Sequence, residues 1–369
     1  MLKICIVSTR SYYFFSDGKI GRVGGAELDL FLVGKHLSKF KDVSVSFVTA
    51  NFGQQEKMET FGNIKVFKAM QLKRDLWHFL IAPIMLFRAL KKANANFYIC
   101  APAGPETGIT ALFCKIFKKK FIYRTAHEID CNREYVEKNG FRGKIYEYGL
   151  LNAATIFTSV ESHKELLRKT YGDKLKKNII FVPYGLEKGK FNIQNKEYIL
   201  WVARGEKWKN PQLFLDLAES FPSQKFLMIM PKKNEESEFF ETIKKRALTI
   251  RNLNFIPGVV FGKIQPYFEK AKVFINTSEY EGFTFTLLQS GFGNTPVLYY
   301  KVNPDNIIEN KRLGYYANGD MKKMKIYLDK LINEKEIWKE KSQNIGRYIL
   351  NEHSIEKNVL VWKNALEKL

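Results

Sequence analysis

Short runs that are apolar throughout alternate with longer stretches whose apolar positions recur every three to four residues. Leu2–Ser8, Val43–Ala50, Phe97–Cys100, Phe121–Thr125, Thr155–Ser159 and Ile179–Val182 have the pattern of strands buried on both faces. Ala26–Phe40, between the first two, has helical periodicity. The alternation then restarts, with strands at Tyr198–Ala203, Lys225–Met230, Asn254–Ile256, Lys272–Thr277 and Pro296–Tyr300. Helices are expected at Pro211–Ser220, Glu235–Thr249 and Thr284–Phe292. Strands separated by helical segments of this length predict parallel βαβ units. The expected class is therefore α/β, with two doubly wound Rossmann-like domains facing a cleft. Residues 1–185 would form the first domain and 196–345 the second. The linker is Tyr184–Asn195, with two glycines and few apolar residues. Residues 346–369 are expected to form a helix packing back on the first domain.

Composition narrows this picture little. At 45% apolar and 27% charged residues, disorder, collagen and coiled coil are excluded as the main architecture. Charge changes it more. The net charge is +22, and a cut at Leu186 leaves +14 before it and +8 after. An electropositive first half favours anionic partners: nucleotide phosphates, nucleic acid or an acidic lipid surface. Lysine-rich usage would give the same charge without any partner. No helix-turn-helix, RNA-recognition or zinc module is visible, so a nucleic-acid partner is not expected. Cys5, Cys100, Cys114 and Cys131 lack paired spacing, and Cys5 and Cys100 lie in apolar runs that predict burial. The stretch Leu76–Leu90 holds His78, Pro83 and Arg88 and falls short of a membrane span. No signal peptide is read at the start, so a cytoplasmic protein is expected. The run Lys73–Lys92, apolar between cationic ends, suits the inner face of a membrane as well as a core-facing helix.

Four segments carry chemistry. Gly18–Glu27 joins a strand to a helix, and its glycines at 21, 24 and 25 let backbone approach a ligand at a helix start. It is not a dinucleotide fingerprint, and glycines also suit an ordinary turn. His127 follows a strand at its carboxyl end, where it can donate to a sugar hydroxyl or move a proton. A turn histidine satisfied by Glu128 or Asp130 is the competing reading. Arg204 ends the first strand of the second domain, with Lys207 and Lys209 close behind, a set of cations suited to a diphosphate. The fourth segment, Asn276–Val297, places Glu281 just before a helix N-terminus, with the amides of Gly282, Phe283 and Thr284 toward a ligand and Gln289 one turn beyond Phe285.

Taken in order, these segments resemble glycosyltransferase family 4, retaining enzymes with the GT-B fold. The resemblance rests on Ser278, Glu281-Gly282-Phe283 and Asn294-Thr295-Pro296-Val297. Ala203-Arg204 stands for the family's Gly-Arg, and Lys209-Asn210-Pro211 for its Lys-Asn-Pro-like string. Gly24-Gly25-Ala26-Glu27 matches its Gly-Gly-x-Glu loop, and Val182-Pro183-Tyr184-Gly185 is similar to its Pro-Asn-Gly segment. His127 stands where the family has its acceptor-side histidine. One position departs: the second acid of the family pair is Gln289 here. Glutamine keeps one carbonyl acceptor for ribose hydroxyls, adds two donors and loses the charge.

The resemblance implies catalytic roles for His127, Glu281, Arg204 and Lys209, and donor binding by Gly24, Gly25, Gly282, Phe283, Thr284 and Gln289. It implies a nucleotide-sugar donor, a saccharide or lipid-linked acceptor, and transfer with retention and no metal or other cofactor. The products expected are surface polysaccharides or glycolipids, made in the cytoplasm or peripherally at the inner face of the membrane. The alternative is a weakened GT-B partner or scaffold subunit marked by Gln289. Alanine at Glu281 or Arg204 is expected to end turnover and leave the fold intact.

Overall fold

The computed structural model describes residues 1–20, 24–72, 76–175, 178–187, 195–232 and 237–369. Gly21, Lys73, most of the Tyr184–Asn195 linker and the start of the helix expected from Glu235 lie outside the described residues. The chain divides into two units, one of Met1–Glu187 with Ile355–Leu369, the other of Lys188–Ser354.

The first unit runs β1 Leu2–Val7, α1 Tyr12–Phe15, α2 Gly25–Leu37, β2 Val43–Thr49, β3 Met58–Phe61, β4 Ile64–Lys68 and α3 Leu76–Ala93. It continues through β5 Phe97–Cys100, α4 Pro105–Ile116, β6 Lys120–Arg124, α5 Glu134–Leu151, β7 Thr155–Thr158, α6 Ser162–Tyr171 and β8 Asn178–Phe181. The sheet order is β3-β4-β2-β1-β5-β6-β7-β8, parallel except for β3. The central strands β5 and β7 are buried along their whole length, as their apolar runs require. The hairpin β3–β4 was not expected. β3 is the edge strand and no residue in it is buried, while β4, between β3 and β2, buries only alternate residues, so neither needs a continuous apolar run.

Helix α3 settles the ambiguity of the Leu76–Leu90 stretch in part. Leu86, Ala89 and Leu90 are buried in the core, whereas Leu80, Ile81 and Ile84 are exposed. Among the described residues no helix is long and apolar enough to cross a membrane.

The second unit has β9 Tyr198–Val202, α7 Pro211–Ser220, β10 Phe226–Ile229, α8 Ser237–Thr249, β11 Leu253–Ile256, α9 Gln265–Lys270 and β12 Ala271–Asn276. After these come α10 Phe285–Phe292, β13 Val297–Tyr299, α11 Ile307–Asn310, β14 Gly314–Tyr316, α12 Met321–Asn333 and α13 Lys335–Glu352. Six parallel strands lie in the order β11-β10-β9-β12-β13-β14. Lys196 ties this unit's start to two helix ends, donating to the carbonyls of Glu269 at 2.8 Å and Gly293 at 2.6 Å. Burial lowers its ammonium to about 8.

Residues 346–354, expected to leave the second domain, remain in it, because α13 runs unbroken to Glu352. Its Ile345 and Ile349 are fully buried, and α13 crosses α10 so closely that a Cβ on Gly291 would run into Ile349. The return to the first unit begins at Ile355, with α14 Ile355–Glu367. Its Trp362 stacks on Phe157 with ring centroids 4.0 Å apart. Beside that stack lies Arg124, 1% exposed, whose Nε donates to Asp29 Oδ2 at 2.8 Å. Its Nη1 donates to the carbonyls of Thr158 and Val182. A buried guanidinium is tolerated there because a carboxylate and backbone carbonyls replace its water.

Candidate active site

In the second unit the chain leaves the sheet toward opposite sides after β9 and β12, neighbouring strands at which the order reverses. In doubly wound sheets a ligand crevice forms outside the carboxyl ends of strands at such a point. The segments that follow these two strands carry the candidate residues. After β9 come Ala203, Arg204 and the 3-10 turn Lys207–Lys209, ended by Asn210 at φ 46° with Pro211 opening α7. After β12 comes the loop Thr277–Thr284, ended by the cap of α10.

Buried hydrogen bonds lock the two segments together. Trp201 Nε1 donates to Thr277 Oγ1 at 2.8 Å, and Thr277 Oγ1 donates to the Lys209 carbonyl at 2.6 Å. Asn210 Nδ2 donates to Glu279 Oε1 at 2.6 Å, and the Glu279 amide to the Trp208 carbonyl at 2.9 Å. Trp208 and Tyr280 stack with ring centroids 4.7 Å apart. Apart from Glu279 these groups are short or planar, so the loops hold few alternative rotamers and the charged groups they carry are preorganised.

Those charged groups meet at Lys209. Its Nζ contacts Glu281 Oε1, and the two side chains are 10% and 13% exposed. Ser278 Oγ donates to the same Glu281 oxygen at 3.0 Å. Lys209 Nζ also lies 3.8 Å from the centroid of the Trp208 ring. Burial and the nearby Arg204 charge push the Lys209 ammonium well below the ordinary lysine range, opposed by Glu206 and by the Glu281 carboxylate in contact with it. Arg204 is exposed and makes a 3.2 Å ion pair with Glu206. The result is one solvent-facing guanidinium and one sheltered ammonium, a pair suited to a diphosphate.

Around this pair, Gly282 and Phe283 are buried, and Thr284 caps α10 by accepting from the Leu287 amide at 3.3 Å. Phe283 stacks on His353 with centroids 4.6 Å apart, which holds the entry to α10 against the end of α13. Gln289 lies on α10 and is 4% exposed. Its side-chain amide makes no hydrogen bond to a described residue.

Gly24, Gly25 and His127 belong to the first unit. Gly24 precedes α2 and its amide donates to Glu27 Oε2 at 2.8 Å, so the chain's own carboxylate already meets one free N–H of that helix start. His127 caps the 3-10 turn Glu128–Asp130, its Nδ1 accepting from the Ile129 amide at 3.3 Å. With Nδ1 used as an acceptor, the neutral ring carries its proton on Nε2 and can only donate there.

Asp130, named in the competing reading of His127 as a turn residue, holds this turn. Its Oδ2 accepts the Ala126 amide at 2.8 Å and the His127 amide at 3.1 Å, and burial pushes its carboxyl up to about 6. The signal was present: an acid at the third position after a capping residue is a box signature. The contacts of Thr277 with Asn210 and Lys209 were not legible, because only the fold brings residues 67 and 68 positions apart together.

Residues 186–351 match the family model described as glycosyl transferases group 1. The match covers most of the second unit. Solved structures extend the likeness to the whole chain. Sucrose-phosphate synthase from Thermosynechococcus elongatus superposes with a TM-score of 0.79 at 11% identity, covering 100% of this chain and 99% of that one. HepE from Anabaena, in complex with UDP and glucose, gives 0.75 at 12% identity and covers 100% of both chains. Trehalose-6-phosphate synthase OtsA gives 0.78 at 10% identity, covering 100% and 99%. The chain has the GT-B fold. No curated protein matches it.

The Lys209 environment has a kinetic consequence. An ammonium held below its ordinary range loses its charge at lower pH than an exposed lysine. The profile of kcat/KM, which reports the free enzyme, is expected to fall on an alkaline limb set by Lys209. In Lys209→Arg, charged throughout the accessible range, that limb should disappear whatever the absolute rate. An unchanged limb in the variant would assign it to another group.

Proposed function

We propose that this chain is a retaining glycosyltransferase that moves a sugar from a nucleotide-sugar donor to a saccharide or lipid-linked saccharide acceptor, in surface polysaccharide or glycolipid synthesis. The observation that carries the reading is the Lys209–Glu281 contact at the carboxyl ends of β9 and β12, with Arg204 beside it, inside the segment that matches the glycosyl transferases group 1 model. In transfer the bond from the sugar's anomeric carbon to a diphosphate oxygen breaks, a bond from that carbon to an acceptor oxygen forms, and the acceptor hydroxyl's proton passes to the departing diphosphate. Negative charge then grows on the diphosphate, where Arg204 and Lys209 stabilise it most in the transition state. Glu281 holds the Lys209 ammonium in place, and its second oxygen accepts from a donor-sugar hydroxyl. The amides of Gly282, Phe283 and Thr284 orient the donor, and Gln289 takes the ribose hydroxyls through its carbonyl. In the first unit, Gly24 and Gly25 offer backbone to the donor and His127 donates its Nε2 proton to a substrate hydroxyl. No resident metal or other cofactor enters these steps.

A cytoplasmic site of action, with peripheral contact at an anionic membrane, is part of the same proposal. It is supported by Leu80, Ile81 and Ile84 exposed on α3, with Arg88, Lys91 and Lys92 farther along the same helix.

A second reading has one observation in its favour. Gln289 leaves the ribose position without a carboxylate, as in a partner subunit that has lost strong donor binding. A thermal-shift series with UDP, GDP, ADP, CMP and their common sugars separates the two. Ligand at a hundredfold over its dissociation constant stabilises by about 2.7 kcal/mol, an easily measured shift. A shift for one nucleotide in the wild type, increased in Gln289→Glu, is the expected result. Silence toward every nucleotide in both proteins would sink the donor reading in favour of the scaffold.

A further inference from the structure

One cavity in the second unit lies away from the candidate active site. An open groove of about 860 Å³ lies at the opposite edge of the sheet, where β9, β10 and β11 begin and α9 passes beneath them. Because β9 begins in the groove and ends just before Arg204, its five residues separate the two places by roughly 15 Å at ~3.3 Å per residue.

The groove wall is cationic. Lys225, Arg251, Lys263 and Lys270 line it from three separate segments, and the single acid in the wall, Glu197, is held by Lys270 at 3.2 Å. Lys225, Arg251 and Lys263 make no ion pair with a described residue. Other cations of this unit, Lys322 and Lys325 among them, make none either; these three differ in lining one concavity. Elsewhere on its surface Arg246, Lys232, Lys301 and Arg312 each hold a carboxylate at 2.6–3.0 Å. Converging like charges in a concavity repel one another, and an anion seated among them removes that repulsion.

The rest of the lining is suited to a sugar. Tyr198 and Tyr267 contribute rings, linked by the Tyr198 hydroxyl donating to the Tyr267 carbonyl at 3.0 Å, and Asn254 contributes an exposed amide. Aromatic faces pack against sugar C–H groups, while amides and phenols meet hydroxyls. The volume far exceeds one phosphate and fits several monosaccharide units.

We propose that this groove is a second binding site, distinct from the donor site, for an anionic saccharide: a glycan chain bearing carboxylate, sulfate or phosphate groups. It would hold a charged acceptor or product chain at a distance from the site of transfer. The preference for a saccharide rests on the glycosyl-transfer reading; the need for anionic charge rests on the groove alone.

The test uses the full chain and the triple variant Lys225→Gln, Arg251→Gln, Lys263→Gln, with fluorescein-labelled octagalacturonate, a heparin octasaccharide and a dextran octasaccharide. Exposed lysine and arginine changes leave the fold unstrained, which matched melting curves would verify. Fluorescence anisotropy is expected to show both charged octasaccharides binding the wild type at least tenfold more tightly than dextran, and at least tenfold less tightly to the variant. The UDP melting shift should be the same in both proteins. Equal binding by the variant, or no binding of either charged saccharide by the wild type, would overturn the proposal. So would competition by octathymidylate as strong as by the saccharides, which would make the groove a general polyanion site. A wild type that binds the charged saccharides but shifts with no nucleotide would strike the donor reading and leave the groove standing.

Discussion

Glu281→Ala is expected to lower transfer by at least about 10²-fold and, unlike the expectation from sequence, to destabilise the second unit by roughly 2 kcal/mol. Both effects come from Lys209. Its Nζ contacts the Glu281 carboxylate, the Ser278 hydroxyl donates to the same oxygen, and the two charged side chains are only 10% and 13% exposed. Alanine leaves a sheltered ammonium without its counter-charge. Breaking a fully buried pair in this way costs ~3–5 kcal/mol. Residual exposure, together with an ammonium already pushed toward its neutral form, brings the figure down. A neutral Lys209 stabilises a leaving diphosphate poorly, so the loss of fold stability and the loss of rate share one cause. Glu281→Gln tests this: an amide of the same size keeps an acceptor for Ser278 but supplies no counter-charge, so it should recover only part of the melting temperature and none of the turnover. Calorimetry beside initial rates would check this. Wild-type turnover in Glu281→Ala would remove Glu281 from the site.

Arg204→Ala should behave differently. The guanidinium is 46% exposed and its one described ion pair, with Glu206 at 3.2 Å, is short-range within the chain. The Glu206 side chain is only 5% exposed, so losing this cation should lower melting, by less than in Glu281→Ala because the arginine end of the pair is open to solvent. Turnover should fall by about 10²–10³-fold, the usual effect of removing one preorganised group that stabilises transition-state charge. Arg204→Lys should not restore it, because a point charge cannot fork across two phosphate oxygens. A variant with normal rates would show that Lys209 alone carries the leaving group.

The contrast between these two variants marks what the linear order of residues can and cannot reveal. Glu281 and Arg204 look alike in the sequence, each a charged residue in a loop after an apolar run. The fold makes one half of a sheltered pair and leaves the other in solvent. Likewise His127 was legible from its place after a strand, whereas the proton on its Nε2 follows from the Ile129 amide that occupies Nδ1.

By itself the sequence determined the two doubly wound units, most of their parallel strands and the polar loops at strand ends. Strands buried on both faces must be apolar throughout, and loops at their carboxyl ends must be polar, so both leave a local pattern. Features without such a pattern needed the tertiary structure. The hairpin β3–β4 mixes polar and apolar residues on both faces and lacks an apolar run. The departure of the chain from the second unit at Ile355, rather than at 346, depends on α13 packing against α10, which joins positions far apart in sequence. The groove at the amino-terminal edge gathers Lys225, Arg251 and Lys263 from three segments. Periodicity records which way each residue faces; it does not record which distant residues share a cavity, and burial, ion pairing and charge state depend on that meeting.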